Sequence, residues 1–249
     1  MPTWGEILTE LKKLQSERHP APFDYLRRLY LAELAKYTGR NTLLYATSWT
    51  QISGDVPPES ISITEEDIHG FMEVFHGLTS DNLDLILHSP GGSAEATEAL
   101  VSYMRSKFVN VRVFIPHAAM SAATMLACSA DRIVMGKHSF LGPIDPQFIL
   151  DTALGRQAVP AQAILDQFMA ARQQCQDPKL LGAWVPILPQ YGPALLIQST
   201  HALALSKELV SKWLAQYMFK QEKDPLQMAQ TVANSLADHT AFKSHACLL

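Results

Sequence analysis

Hydrophobic residues along this chain follow two rhythms, and the places where the rhythm changes divide the chain into three stretches. In the first, Trp4, Ile7, Leu8, Leu11 and Leu14 recur at helical spacing among Glu6, Glu10, Lys12 and Lys13, which predicts an amphipathic helix over 3–15. A second helix is predicted over 22–38, with Gly39 in the C-cap position that favours a left-handed residue. From 41 onward, short apolar runs alternate with helical segments. Strands are predicted at 41–48, 83–87, 111–115 and 132–135, a Pro-rich loop at 55–60, and helices at 64–78, 94–108 and 121–128. Thr64-Glu65-Glu66-Asp67 supplies a capped start for the first of these helices. Strands and helices alternating over short connections read as right-handed βαβ units, whose ligands lie at the strand C-termini. Beyond Pro160 the rhythm is helical again, with helices predicted at 161–176, 179–188, 193–219 and 225–237.

The organisation that follows is an α/β fold in which residues 1–40 form an N-terminal helical extension. Residues 41–249 form one α/β domain with a mainly helical C-terminal part from about 160. At 249 residues and 47% hydrophobic, the chain is long enough to bury one large core. A net charge of -4 with 20 scattered Lys and Arg gives no basic footprint, so nucleic acid is excluded as a partner. Cys128, Cys175 and Cys247 are an odd number without metal-type spacing, which points to reduced thiols in a cytoplasmic setting and to no metal site. The first 16 residues lack the continuous apolar core of a signal peptide, and no apolar run is long enough to span a bilayer. A soluble, cytoplasmic protein is therefore expected. Cys247 stands third from the end, so a prenylation reading fails on position. No cofactor motif is present, and none is expected to be needed.

Two loops carry the candidate chemistry. The strand at 83–87 runs into Leu87-His88-Ser89-Pro90-Gly91-Gly92-Ser93 and opens a helix near Ala94; the strand at 111–115 leads to Ala118-Ala119-Met120-Ser121-Ala122-Ala123, where a serine starts the next helix. A tetrahedral acyl intermediate needs preorganised N–H donors, and glycine lets backbone approach closely. Gly91, Gly92 and the N–H of Ala122 are therefore candidate oxyanion donors, and Ser121 is the candidate nucleophile. Taken singly, Ser93 and Ser121 also read as plain N-caps and Gly91-Gly92 as a plain turn. The two loops in this order favour a site. Met120 is expected to line the pocket or pack under the loop, and His88 and Ser89 to fix the first turn.

Together with Ala130-Asp131-Arg132-Ile133-Val134-Met135 and Leu141-Gly142-Pro143-Ile144-Asp145-Pro146-Gln147, these loops resemble the Clp protease/crotonase superfamily. Within it the chain is most similar to the serine dehydrogenase proteinase family, relatives of the Clp proteolytic subunit and of signal peptide peptidase A. The likeness is dense over 82–147, looser as far as His245, and slight over the first forty residues. It implies a Clp/crotonase-like core of repeated ββα units, a peptide or protein substrate, and a homo-oligomer, a trimer or larger ring.

The resemblance also bears on what removes the serine proton, since a free hydroxyl is a weak nucleophile. The histidine that follows the nucleophile by one strand in the Clp subunit is absent, and Asp145 stands in about its place. Signal peptide peptidases use a lysine from a later helix. In 161–179 the basic residues are Arg172, which cannot act as a base, and Lys179, a second-tier candidate. The serine dehydrogenase proteinases place serine, aspartate and histidine in that chain order, which carries over as Ser121, Asp145 and then His239 or His245. His245, in Lys243-Ser244-His245-Ala246, is similar to the family's Ser-His-Gly-Arg element, with Ala246-Cys247 in place of Gly-Arg. Asp145 reads equally as an orienting carboxylate or a structural cap, and both histidines also read as polar residues of a terminal segment. His117, four residues before Ser121, is a further second-tier candidate. Three functions fit: a serine peptidase, a crotonase-type acyl-thioester enzyme using the same hole, or a non-catalytic oligomeric scaffold.

Overall fold

The computed structural model describes residues 2–51, 56–152 and 155–238. Its elements begin with α1 (Trp4–Ser16), α2 (Pro22–Thr38), β1 (Asn41–Ala46), α3 (Asp67–Phe75), β2 (Asn82–His88) and α4 (Ala94–Lys107). They continue with β3 (Asn110–Ile115), β4 (Ala118–Ala119), α5 (Ala122–Cys128), β5 (Arg132–Met135), β6 (Phe140–Leu141), β7 (Gln147–Thr152) and β8 (Gly155–Pro160). The C-terminal part holds α6 (Ala161–Gln174), α7 (Pro178–Trp184), α8 (Leu195–Trp213), a π-helical turn (Leu214–Met218) and α9 (Pro225–Ala237). This is a mixed α/β fold with the alternation expected of βαβ units. The helix expected over 64–78 is shorter, because Thr64 N–H donates to the Asp67 carboxylate at 2.8 Å and Gly77 turns the chain with φ +79 soon after its end.

Four parallel strands in the order β1-β2-β3-β5 form the main sheet. Two-residue alternation places Leu83, Leu85 and Leu87 on one face, in register with Val111 and Val113 of the neighbouring strand, all with 0% exposure. Each such side chain contributes roughly 1.5–3 kcal/mol through burial. Leu100, Val101 and Met104 of α4 join the same core, as do six of the seven residues of α5, the exception being the buried Thr124. Leu209, Val210, Trp213, Leu214, Ala229 and Ala233 belong to it too, so the C-terminal helices are part of the domain's core.

The opposite face of β2 carries Asp84, whose side chain is fully buried between Arg40 and Arg112, each with an N···O distance of 2.6 Å. Burial raises the pKa of this carboxyl, but hydrogen bonds from Arg112 and Arg40 outweigh that and hold it below the usual carboxylate range. Arg40 also donates to Leu83 O at 3.0 Å and Asn110 O at 2.9 Å, which anchors the end of the helical extension to the sheet. The extension itself is peripheral: α1 has no buried residue and α2 only Leu26.

The β7–β8 hairpin was not predicted. It pairs antiparallel from Gln147↔Pro160 to Thr152↔Gly155, with Gln147 and Ile149 exposed and Phe148 and Leu150 half-buried between them. Among the described residues no helix is long and apolar enough to cross a membrane.

Candidate active site

A small second layer beyond the strand ends of the sheet builds the site. β4 and β6 pair in parallel, Ser89 bridges to Ala119, and Ile63 bridges to Gly92. The two glycine/serine loops singled out in the sequence therefore lie side by side. Their contact is backbone against backbone: a Cβ on Gly91 would meet Met120 O at 2.5 Å, Ser121 Cβ at 2.7 Å and Ala122 N at 2.8 Å. A Cβ on Gly92 would overlap the Ile63 backbone. Gly91 has φ +100 and Gly92 φ +156, so both positions call for glycine by conformation as well as by space.

Ser121 sits half-buried at the turn from β4 into α5 with φ 50 and ψ -122. For a non-glycine residue this backbone costs about 1–3 kcal/mol and persists only when its surroundings enforce it. Here they do. Ser121 N–H donates to Pro143 O at 3.0 Å, Met120 N–H to Ser89 O at 3.0 Å, and Gly142 N–H to Ala119 O at 2.9 Å. The buried Thr124 hydroxyl lies 2.8 Å from Ala119 O and 3.0 Å from Gly142 O, within donating distance of both. Met120 lies over Gly142, where a Cβ would come within 2.5 Å of its Sδ. The Ser121 hydroxyl makes one long contact, 3.5 Å to Asp145 O.

The three expected oxyanion donors differ. Gly91 is buried and its N–H donates to Ser89 Oγ at 3.1 Å, so this donor is engaged within the chain. Among the described residues the N–H groups of Gly92 and Ala122 have no protein acceptor. His88 fixes the first turn as expected: Nδ1 lies 3.1 Å from Ala118 O, and burial holds the imidazole below the usual histidine range, with His117 acting the same way.

Asp145 is buried, and its carboxylate accepts the N–H of Gln162 in the first turn of α6 at 3.3 Å. That bond ties its side chain to the start of α6, while its backbone carbonyl lies 3.5 Å from Ser121 Oγ. His117 is exposed at the rim, with its ring 5.5 Å from that of His88 and edge-on to Phe140 at 6.0 Å. Lys179 is exposed at the start of α7, where its N–H donates to Asp177. His239 and His245 lie outside the described residues. Ile144 N–H donates to Leu236 O at 3.0 Å, which pins the last turn of α9 next to Asp145. No group of three or more His, Cys, Asp or Glu side chains suited to a metal occurs among the described residues.

Sequence reasoning did not assign parts to Ile63, Thr124 or the end of α9. Ser89 carried a legible signal, since a serine hydroxyl often accepts the N–H two residues on. The other three depend on pairings between segments distant in sequence.

Two uncharacterized proteins of Methanocaldococcus jannaschii are similar: MJ1495 is 34% identical over 121 residues, and MJ0137 is 37% identical over 86 residues. These alignments cover 48% and 34% of this chain but 38% and 30% of those proteins, so the chain spans about a third of the length of the curated relatives it matches. Two solved structures of the 1510-N membrane-bound stomatin-specific protease, both point variants and one with a substrate peptide, align at 16% and 19% identity with a TM-score of 0.36. They cover 52% of this chain and 58% and 55% of the solved chains. Residues 63–181, which include both loops of the site, match the family model of the ClpP-like SDH-type serine proteinases.

Proposed function

We propose that this chain is a serine peptidase in which Ser121 Oγ attacks the carbonyl carbon of a peptide bond. The carbonyl oxygen becomes the oxyanion and accepts hydrogen bonds from Gly92 N–H and Ala122 N–H; the serine proton passes to a base and then to the leaving amine. Water next attacks the acyl-enzyme, gives a proton to the same base and releases the acid. The observation that carries this reading is the strained Ser121 backbone held against Gly91, with two N–H groups beside it that have no protein acceptor.

The base in this reading is a histidine of the C-terminal segment, His239 or His245, with Asp145 as the carboxylate that orients it. The pinned end of α9 supports this. Ile144, the residue before Asp145, donates its N–H to Leu236 O at the end of α9. His117 and Lys179 remain second-tier candidates. We also infer a homo-oligomer, a trimer or larger, that uses α1 as an interface, since none of its residues is buried within the chain. A monomer by light scattering at micromolar concentration would contradict that part.

A fluorophosphonate probe tests the core of the proposal. Labelling is expected on Ser121, to vanish in Ser121→Ala and to persist in Ser93→Ala. His245→Ala and His239→Ala identify the base, because the true base loses acylation by orders of magnitude and the other histidine changes it little. A folded native protein that takes no label supports the scaffold reading instead.

A further inference from the structure

Of the N–H groups of Ser89, Gly91, Gly92 and Ser93, that of Gly92 alone has no acceptor among the described residues, and the partners of the others single it out. Ser89 is wholly buried. Its N–H donates to Ala118 O at 3.3 Å and its carbonyl accepts from Met120 N–H at 3.0 Å, which clamps it to the segment leading into Ser121. Its hydroxyl oxygen accepts the N–H of Gly91 at 3.1 Å. On the other side of the loop, Ile63 N–H donates to Gly91 O at 2.7 Å and Ser93 N–H donates to Ile63 O at 3.0 Å. In a trans peptide unit the carbonyl and the N–H point in opposite directions. With Gly91 O aimed at Ile63, the N–H of Gly92 in the same unit points away from Ile63. It adjoins the Gly91 Cα that rests on Ser121 and Ala122.

Resting on the serine-peptidase reading above, we propose that Ser89 is the positioning residue of the oxyanion hole. By holding the Gly91 N–H on its hydroxyl, it fixes the orientation of two successive peptide units so that Gly92, and not Gly91, presents its N–H to the reacting carbonyl. Two adjacent glycines have little intrinsic preference for the orientation of the peptide between them, so a fixed orientation must be imposed from outside. Ile63 imposes it on one side through the backbone, which side-chain substitutions other than proline leave in place. Ser89 imposes it on the other through a side chain. Without that oxygen the Gly91 N–H is a buried donor with no acceptor, and rotation of the peptide units relieves it at the expense of the Gly92 donor.

Two measurements test this. Amide hydrogen exchange on protein labelled with 15N-glycine reads the loop directly: in the wild type, the Gly91 N–H is expected to exchange slowly and the Gly92 N–H fast, and in Ser89→Ala both become fast. Fluorophosphonate kinetics reads the consequence. In Ser89→Ala the maximal rate of Ser121 acylation is expected to fall about 100-fold, the scale set by an ångström of misplacement, with the probe concentration at half-maximal rate unchanged. Ser89→Thr, which keeps an acceptor oxygen, restores most of the rate. A fast Gly91 amide in the wild type overturns the proposal whatever the labelling shows. A wild type that labels, alongside a folded Ser89→Ala that labels at the same rate, overturns the proposal alone. A wild type that does not label at all removes the peptidase reading, and the oxyanion role of Ser89 falls with it.

Discussion

Around Ser121 there is no room for one added carbon, while in α1 there is room almost everywhere. The site is assembled from backbone pressed on backbone, with Gly91 against Ala122 and Gly92 against Ile63. Its helix α5 has only seven residues, all of them buried. A helix that short has no stability of its own in water, so the surrounding core holds it in place. By contrast, α1 has thirteen residues, a complete capping box between Thr3 and Glu6, and none of its residues buried. Its stability within the chain comes from local hydrogen bonds and light packing on α2. The comparison teaches that the geometry around Ser121 is stored in tertiary contacts with no slack, whereas the extension is stored locally and tolerates change.

The largest expected effect breaks the tight region. Gly92→Ala puts a Cβ into the Ile63 backbone, and loss of one oxyanion donor is expected to cost about 100- to 1000-fold in acylation of Ser121. Probe labelling close to the wild-type rate would show that the loop has slack after all. Next comes the anchor between the two regions. Asp84→Ala strands Arg40 and Arg112 and is expected to cost about 3 kcal/mol in denaturant unfolding. The same pairing predicts a pH dependence. The folded-state pKa of Asp84 lies below its unfolded value near ~3.9, so its contribution is complete above about pH 4 and is lost as pH falls through the folded pKa. The stability gap between wild type and Asp84→Asn should therefore shrink on acidification below about pH 4, and a constant gap would contradict the assignment.

A subtler effect separates strain from chemistry. Ser121→Gly and Ser121→Ala both remove the proposed nucleophile, but only glycine accepts φ 50 without strain, so Ser121→Gly should be the more stable by about 1 kcal/mol. Equal melting temperatures would show that the turn carries no strain. The smallest effect lies in the loose region. Gly5, inside α1 with nothing within 4 Å of an added Cβ, should accept alanine with a gain of about 0.5 kcal/mol in helix stability and no change in labelling. The same substitution is thus expected to abolish function at one glycine and mildly stabilise at another.

The contrast also explains what was legible in the amino-acid sequence. The second helix, 22–38, was read to the residue, because Pro22 at its start and Gly39 at its end are local signals. The strand–loop–helix segments around Gly91 and Ser121 were legible for the same reason: Ser93 accepts the N–H of Ala96 as a cap, and Leu83, Leu85 and Leu87 announce a buried strand. The pairing of Ile63 with Gly92 was not legible, since nothing in Ile63 itself specifies which backbone it meets. Gly91 was grouped with the donors because glycine chemistry is visible in a sequence, while the hydrogen bond that occupies its N–H is not. The β7–β8 hairpin escaped because Asp151 and Thr152 end one strand and Arg156 and Gln157 open the other, which blurs the apolar rhythm. The base remains the least legible part, because the candidates His239 and His245 lie outside the described residues.

The most direct measurement is a crystal structure of the protein after reaction with a fluorophosphonate. The phosphorus is expected on Ser121 Oγ, with the phosphoryl oxygen about 2.7–3.1 Å from both Gly92 N and Ala122 N, and with Gly91 N–H still on Ser89 Oγ. An adduct on another side chain, or a phosphoryl oxygen turned away from those two N–H groups, would contradict the account.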